Sequence, residues 1–347
     1  MKAAVYHAPG DIRVENCPEP VPTPDNLIAE VHYCAICGSD KKLATIGHPR
    51  WVPPRIIGHE MVGHLVHVGA EVEGFALGER ITLATTLGCL ECDICRLGLT
   101  NMCPDAQAIS QASDGAFAER LAIPPLAIRG GNVLKVRDEV SDEAAALSEP
   151  LSCAVNAQEL AGVQAGNVVV IIGGGPLGAL HAELAKALGA VDVMISQRSE
   201  PRLSMLRSLR DVVVIDGVRE DLAAIVKDRT NGLGADVVIV AGPTREAHES
   251  SIQLARKGGA ISLFASLPKE DPDITFNSRV LHYGELKVVG SSDSRPEHVA
   301  KGLRLVAEGK IDTGAIITHR VSLDNIHDGL QLMIDKQSLK VLVDPRH

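Results

Sequence analysis

At 347 residues the chain is longer than one ordinary core, so two domains are expected, and its 45% hydrophobic and 22% charged residues are globular values that exclude a disordered or fibrous chain. A net charge of −10 argues against a nucleic-acid or anionic-membrane partner, because phosphates need a positive field. The longest apolar runs are strand-length, so no segment is expected to span a bilayer, and the opening MKAAVYHAPG lacks the apolar stretch of a signal peptide.

Residues 1 to about 150 are rich in short strand-like runs, such as Leu27–His32, Met61–Val68 and Arg80–Ala84, broken by Pro22, Pro24, Gly69 and Gly78. Partial alternation of apolar and polar residues between turn residues predicts an irregular β-rich domain. The texture changes near Ser152. Val168–Ile172 reads as a buried strand, and Pro176–Leu188 follows with helical spacing, closed by Gly189 as a C-cap. Further strands are expected at Val191–Ser196, Val212–Asp216, Ala235–Ala241, Gly259–Leu263 and Leu286–Gly290, with helical segments among them. This alternation predicts parallel βαβ units with right-handed crossovers and a doubly wound, dinucleotide-binding sheet. After Gly290 one helix, Pro296–Glu308, and a last strand, Lys340–Val343, are expected, and this tail is read as returning to the first domain.

Four of the eight cysteines fall in Cys89-x2-Cys92-x2-Cys95-x7-Cys103. Without an export signal, such spacing argues for metal rather than disulfides and for a cytoplasmic location. Four thiolates in one loop can close a tetrahedron around Zn²⁺ with no open position, so the expected role is structural. An iron–sulfur centre is the alternative, but nothing else in the chain suggests electron transfer.

A reactive metal needs few protein ligands and one open position. Cys37 and His59 are the proposed pair, with Glu60 next to His59 and Glu149 as a further carboxylate. Taken singly, each has a structural reading: a buried Cys packs, and Glu149 could be a helix N-terminal acid beside Pro150. Cys34, three residues before Cys37, mimics a redox pair without the context for one and is read as packing.

Gly58-His59-Glu60-Met61-Val62-Gly63, followed after five residues by Gly69 and after two more by Val72, resembles the zinc signature of the medium-chain dehydrogenase/reductase family. The Cys34–Asp40 stretch, the four-cysteine loop and a later glycine motif come in that family's order, so the resemblance covers essentially the whole chain. It implies an α/β fold: a GroES-like catalytic domain (1–151) split around a Rossmann domain (152–292) and completed by a return segment (293–347). Glu149-Pro150-Leu151-Ser152 resembles the polyol, sorbitol-type branch. There the metal is held by the Cys, the His and acidic groups, sometimes through water. Carried over, this implies Cys37, His59, Glu60 and Glu149, with direct and water-mediated contact both open for the two glutamates. The resemblance also implies a homodimer or homotetramer.

Gly173-Gly174-Gly175-Pro176-Leu177-Gly178 fits the dinucleotide fingerprint in its confirming context, after a strand and at the start of a helix. Gly173 permits the tight turn, Gly175 admits the pyrophosphate, Gly178 allows close helix–strand packing, and the anion sits at the helix N-terminus. Where an acid would bind the ribose 2′-hydroxyl, the second strand ends at Gln197, with Arg198 and Arg202 following. No carboxylate there repels a 2′-phosphate and two guanidiniums could bind it, so the reading is NADP(H) over NAD(H). The alternative is that both arginines are solvated.

The expected chemistry is reversible hydride transfer between a secondary carbinol of a polyol and NAD(P), with Zn²⁺ stabilising the alkoxide. Ser39 would pass on the proton, as the family's hydroxyl relay implies. Many relatives carry a His where this chain has Lys42, which leaves the outer relay open among proton transfer, cofactor contact and simple solvation. Asp293, in Ser291-Ser292-Asp293, replaces an Arg typical of sorbitol enzymes and suggests a different hydroxyl pattern. Lys41, Lys42, His48, Arg50 and Arg55 make a basic loop that could favour a phosphorylated polyol or simply be exposed. Oxidation of L-threonine or a simple secondary alcohol on the same scaffold is the nearest alternative. A non-catalytic redox sensor would lack a reactive ligand, and a zinc-free quinone reductase would lack both cysteine sites.

Overall fold

The computed structural model describes residues 1–347. The chain divides into two compact units, one of Met1–Ser152, Asp293–Glu308 and Ile317–His347, the other of Cys153–Ser292 and Gly309–Ile316.

The first unit is built on a seven-stranded sheet. Its strands run in the order Val133–Lys135, Arg80–Leu83, Glu60–Val68, Leu27–Ala35, Lys340–Asp344 and Ile317–Ser322, and Arg120–Ile123 also pairs with Leu27–Ala35. All neighbours are antiparallel except the last pair. Leu27, Ala29 and Val31 alternate into a core with Met61, Leu65, Phe117, Val341 and Val343. A smaller sheet joins Asp11–Asn16, Lys2–Ala8 and Arg55–Ile56.

Register brings three distant segments to one sheet end. Ala35 pairs with Glu60, so the chain just past Ala35 and just before Glu60, at Cys37 and His59, emerges side by side. Leu342 also pairs with Ala35, and Ile36 N–H donates to the Val341 carbonyl at 2.9 Å, which puts Lys340 at the same end.

The second unit holds a six-stranded parallel sheet. Its order is Val213–Asp216, Asp192–Gln197, Val168–Ile172, Ala235–Val240, Ala255–Leu263 and Lys287–Gly290, which reads 3-2-1-4-5-6 along the unit. Val169, Val170 and Ile171 are inaccessible, as a central strand covered on both faces requires. The order reverses beside Val168–Ile172, and ligands of such sheets bind outside the strand ends at that point.

Two features depart from the sequence reading. Between Pro296–Ala307 and the last strand lie an additional strand, Ile317–Ser322, and a helix, Ile326–Ile334. That helix buries Ile326, Leu330 and Met333 at helical spacing, although Gly329 interrupts it. Residues 309–316, read with the return segment, belong instead to the second unit, where Asp312 N–H donates to the buried Glu183 carboxylate at 3.0 Å.

Candidate functional site

Cys37 caps the helix Gly38–Ile46, which places its thiol at the helix N-terminus beside the sheet end. Asp40, in the first turn, accepts the Cys37 N–H at 2.8 Å and lies 3.9 Å from His59 Nδ1. The ligand atoms of Cys37, His59 and Glu60 all fall within 4.8 Å of one another. Glu60 is fully buried, ion-paired with the equally buried Lys340, and its Oε1 has no hydrogen-bond partner. Lys340 also donates to the Ile36 carbonyl at 3.2 Å. Glu149, in the first turn of Ser148–Ala161, stands outside that group, and its Oε1 accepts from Thr85 Oγ1 at 3.4 Å.

The electrostatics of this pocket call for a cation. Burial raises Asp40 above the usual carboxylate range. It pushes Glu149 up to about 7, with Glu60 and Asp293 adding to the effect. Burial opposes a charge on His59, yet Cys37, Asp40 and Glu149 outweigh it and lift the imidazole well above its ordinary value. Burial likewise opposes the Lys340 ammonium, which Glu60 and Cys37 hold above its normal pKa. A pocket that traps protons this way holds more buried negative charge than its one lysine neutralises, and a divalent ion would relieve the excess. One thiolate, one imidazole and a carboxylate suit zinc with a position left open.

Ser39 Oγ, two residues after Cys37, is buried without a hydrogen-bond partner. Lys42 is exposed. Asp293 has a left-handed backbone (φ 52°) and feels His59 and Arg50, while Thr86 hydrogen-bonds its carboxyl. In the basic loop Arg55 is taken by Asp114 at 3.2 Å. Cys34 is fully buried, and burial pushes its thiol well above the usual range.

The second cysteine group is compact. All four sulfurs lie within 4.8 Å of one another, with Cys89–Cys95 at 4.0 Å and Cys92–Cys103 at 3.8 Å. Tetrahedral Zn–S bonds set sulfurs about 3.8 Å apart, so the group fits the ion without rearrangement. Backbone N–H groups of Cys89, Cys92 and Cys95 donate to Cys103, Cys89 and Cys92 sulfurs at 3.3–3.4 Å. Donors from Glu91 and Cys92 lower Cys89 to about 7, whereas burial and the neighbouring thiols push Cys95 up to about 12.

In the second unit Gly173 has φ 110°, and a Cβ there would stand 2.6 Å from Gly242 N. A Cβ on Gly178 would stand 2.0 Å from the Gly173 carbonyl. No side chain fits at either position. Gly175 caps the helix Pro176–Ala187, leaving the first N–H groups directed out of the turn. Gln197 Oε1 accepts from Arg198 N and Ser199 N at 2.7 and 3.0 Å, and its Nε2 leans over Gly174. The Arg202 guanidinium lies beside Gly175, while Arg198 is exposed and paired with Glu246 at 2.6 Å.

Two participants escaped the sequence reading. Asp40 had a signal, the third-residue spacing of a capping box after Cys37. Lys340 had only a faint one, a cation heading the apolar run Val341-Leu342-Val343.

Residues 23–128 match the family of alcohol dehydrogenase GroES-like domains, and residues 176–308 match that of zinc-binding dehydrogenases. A sorbitol dehydrogenase of Halalkalibacterium halodurans is 31% identical over 352 residues, covering 99% of each chain. An L-threonine 3-dehydrogenase of Pyrococcus furiosus is 32% identical over 328 residues, 93% of this chain and 92% of the relative. A Sinorhizobium meliloti protein described as a zinc-binding dehydrogenase, solved bound to NADP, superposes with a TM-score of 0.89 at 30% identity over 99% of both chains. No helix of the chain is long and apolar enough to cross a membrane. The chain belongs to the zinc-binding, medium-chain dehydrogenase family, with a GroES-like domain and a Rossmann-like domain, and is an alcohol or polyol dehydrogenase.

Proposed function

We propose that the enzyme transfers hydride reversibly between a secondary hydroxyl of a polyol and NADP(H), with Cys37, His59 and Glu60 or Glu149 holding the catalytic zinc and Cys89, Cys92, Cys95 and Cys103 a structural one. The observation that carries this reading is the convergent Cys37–His59–Glu60 group, with Glu60 fully buried and a surplus of negative charge around it. When bound, zinc supplies the Lewis acidity that lowers a hydroxyl pKa or polarises a ketone, and the nicotinamide takes or gives the hydride.

The chain's own residues do the remaining work. Asp40 orients the Cys37 backbone and flanks His59. Ser39 Oγ, buried and unpartnered, takes the substrate proton and hands it outward. Lys42 is exposed and is read as solvated. Glu149 and Asp293 offer carboxylate acceptors close to His59, which suits a substrate with several hydroxyls better than a simple alcohol.

The NADP preference rests on Gln197 in the place of the ribose-binding acid and on Arg202 beside the glycine loop. Arg198 reaches a 2′-phosphate only by leaving Glu246. Eight free cysteines, six of them proposed in or near thiolate sites, favour the reducing cytoplasm. The Lys287–Gly290 strand has one sheet neighbour and exposes Val288, an edge that a second copy of the chain would cover.

A panel of polyols, their phosphates, L-threonine and simple secondary alcohols, each with NAD and NADP, tests the reading. Highest kcat/KM for a polyol with NADP supports it. A clear NAD preference overturns the cofactor assignment, and a preference for threonine overturns the substrate class.

A further inference from the structure

We infer that His32, His64 and Asp142 form a binding site for one divalent transition-metal ion of the zinc–nickel–copper class, separate from both cysteine-containing sites.

His32 lies on Leu27–Ala35 and His64 on its neighbour, Glu60–Val68. The pairing slips between Val31 and Tyr33, so His32 is the extra residue of a bulge. Its ring rests flat on that of His64, centroids 3.9 Å apart and planes 18° apart. Asp142 Oδ2 reaches both, 2.8 Å from His32 Nδ1 and 3.8 Å from His64 Nε2. Ligand atoms around a metal with bonds of about 2.1 Å sit about 3.0–3.4 Å apart and imidazole lone pairs lie in the ring plane, so the three ligand atoms, now within 4.8 Å of one another, meet on one ion once the His64 ring turns out of the stack.

Three observations favour an ion over a plain histidine–aspartate pair. His64 Nε2 is sealed from water and has no hydrogen-bond partner, so its lone pair or proton is unused. Glu30 Oε1 stands 3.6 Å from His32 Nε2. His32 Nδ1–H donates to Asp142 Oδ2 at 2.8 Å, so an ion takes the place of that proton and leaves Glu30 to accept the N–H on the far ring nitrogen. Arg80 grips Asp142 Oδ1 at 2.6 and 2.9 Å, which holds the carboxylate so that Oδ2 faces the rings. Arg80 adds a positive charge, but Asp142 and Glu30 together outweigh it. Two imidazoles with one carboxylate select a transition metal over Mg²⁺ or Ca²⁺, which prefer oxygen alone.

Position gives the site a consequence. Leu27–Ala35 runs on to Cys37, Glu60–Val68 begins at Glu60, and the helix opened by Asp142 is followed by the one bearing Glu149. An ion here ties together the three segments that supply the proposed catalytic ligands, and filling it should raise thermal stability.

The test is titration of NiCl2 into the purified protein at neutral pH by calorimetry, after its own zinc content has been measured. The expected result is one further equivalent bound with micromolar affinity and a higher Tm. That equivalent is lost in His32→Gln and His64→Gln and kept in Cys37→Ser. No further equivalent, or uptake unchanged in both histidine variants, overturns the proposal. If the variants do not fold, nickel-soaked crystals of the unaltered protein decide. An anomalous peak among the three side chains supports the site, and its absence refutes it.

Discussion

The ammonium of Lys340 and the carboxylate of Glu60 form an ion pair that neither side chain shares with solvent, at 1% and 0% exposure. Breaking a buried pair from one side leaves the other charge stranded, which typically costs about 3–5 kcal/mol. Lys340→Met should therefore destabilise the first unit by about that much and lower kcat. Glu60→Gln/Lys340→Met should recover part of the stability, because no lone charge remains. Denaturant unfolding of both variants checks this, and a double variant as unstable as Lys340→Met would rule out the stranded charge as the cause.

Asp40 holds the Cys37 backbone and flanks His59, so it positions the proposed metal-binding pair without being proposed as a ligand. Asp40→Asn should reduce zinc affinity or kcat/KM about 10–100-fold, as loss of such supporting partners usually does. Cys37→Ser should abolish turnover with the fold retained. Chelator competition and circular dichroism separate the two outcomes.

Cys92→Ser opens the four-sulfur group. Metal content should fall from about two zinc per chain to about one, and Tm should drop, since a closed thiolate site contributes its binding energy to folding. Metal analysis with a thermal melt reads both; unchanged metal content would argue against the structural zinc.

Arg202 beside Gly175 and Gln197 over Gly174 frame the cofactor choice. Arg202→Gln should lower kcat/KM for NADP about 10–100-fold, the scale of one charge-assisted hydrogen bond, and change NAD little. Gln197→Asp should shift preference toward NAD by supplying a ribose acceptor and repelling a 2′-phosphate.

His181, on Pro176–Ala187, is inaccessible, and burial lowers its pKa from 6.5 to about 3. The unfolded imidazole takes a proton near pH 6.5 while the folded one does not, so the unfolded state binds more protons between those values. Its stabilising contribution is complete above pH 6.5 and is lost as pH falls toward 3, by roughly 2 kcal/mol at pH 5. In His181→Leu the stability of the second unit should depend less on pH between 7 and 5. His181→Leu also removes the 3.2 Å contact between Gln158 Nε2 and the ring Nδ1 while the 2.8 Å bond to the residue 181 carbonyl stays, so the pH slope rather than the absolute stability is the readout. An unchanged pH slope would show that the burial of this imidazole does not set it.

Much of the fold was legible in one dimension because its signals are local. The strand Val168–Ile172, the glycine turn and the helix after it follow from apolar continuity and backbone constraints within a dozen residues. The four-cysteine group is equally local, since one loop supplies every sulfur. The helix Ile326–Ile334 was harder, because its three buried positions carry the pattern and Gly329 weakens it.

The chain's order of residues by itself determined the donor types: a thiol at Cys37, an imidazole at His59, carboxylates at Glu60 and Glu149, and four thiols in one loop. Only the tertiary structure decided which of them meet. Sheet register set Glu60 against Ala35 and so beside Cys37, strand order carried Lys340 from the far end of the chain to neutralise it, and a bulge laid His32 on His64. Charge compensation acts across space at a few ångströms with no regard for separation along the chain, so it leaves almost no local trace in the sequence.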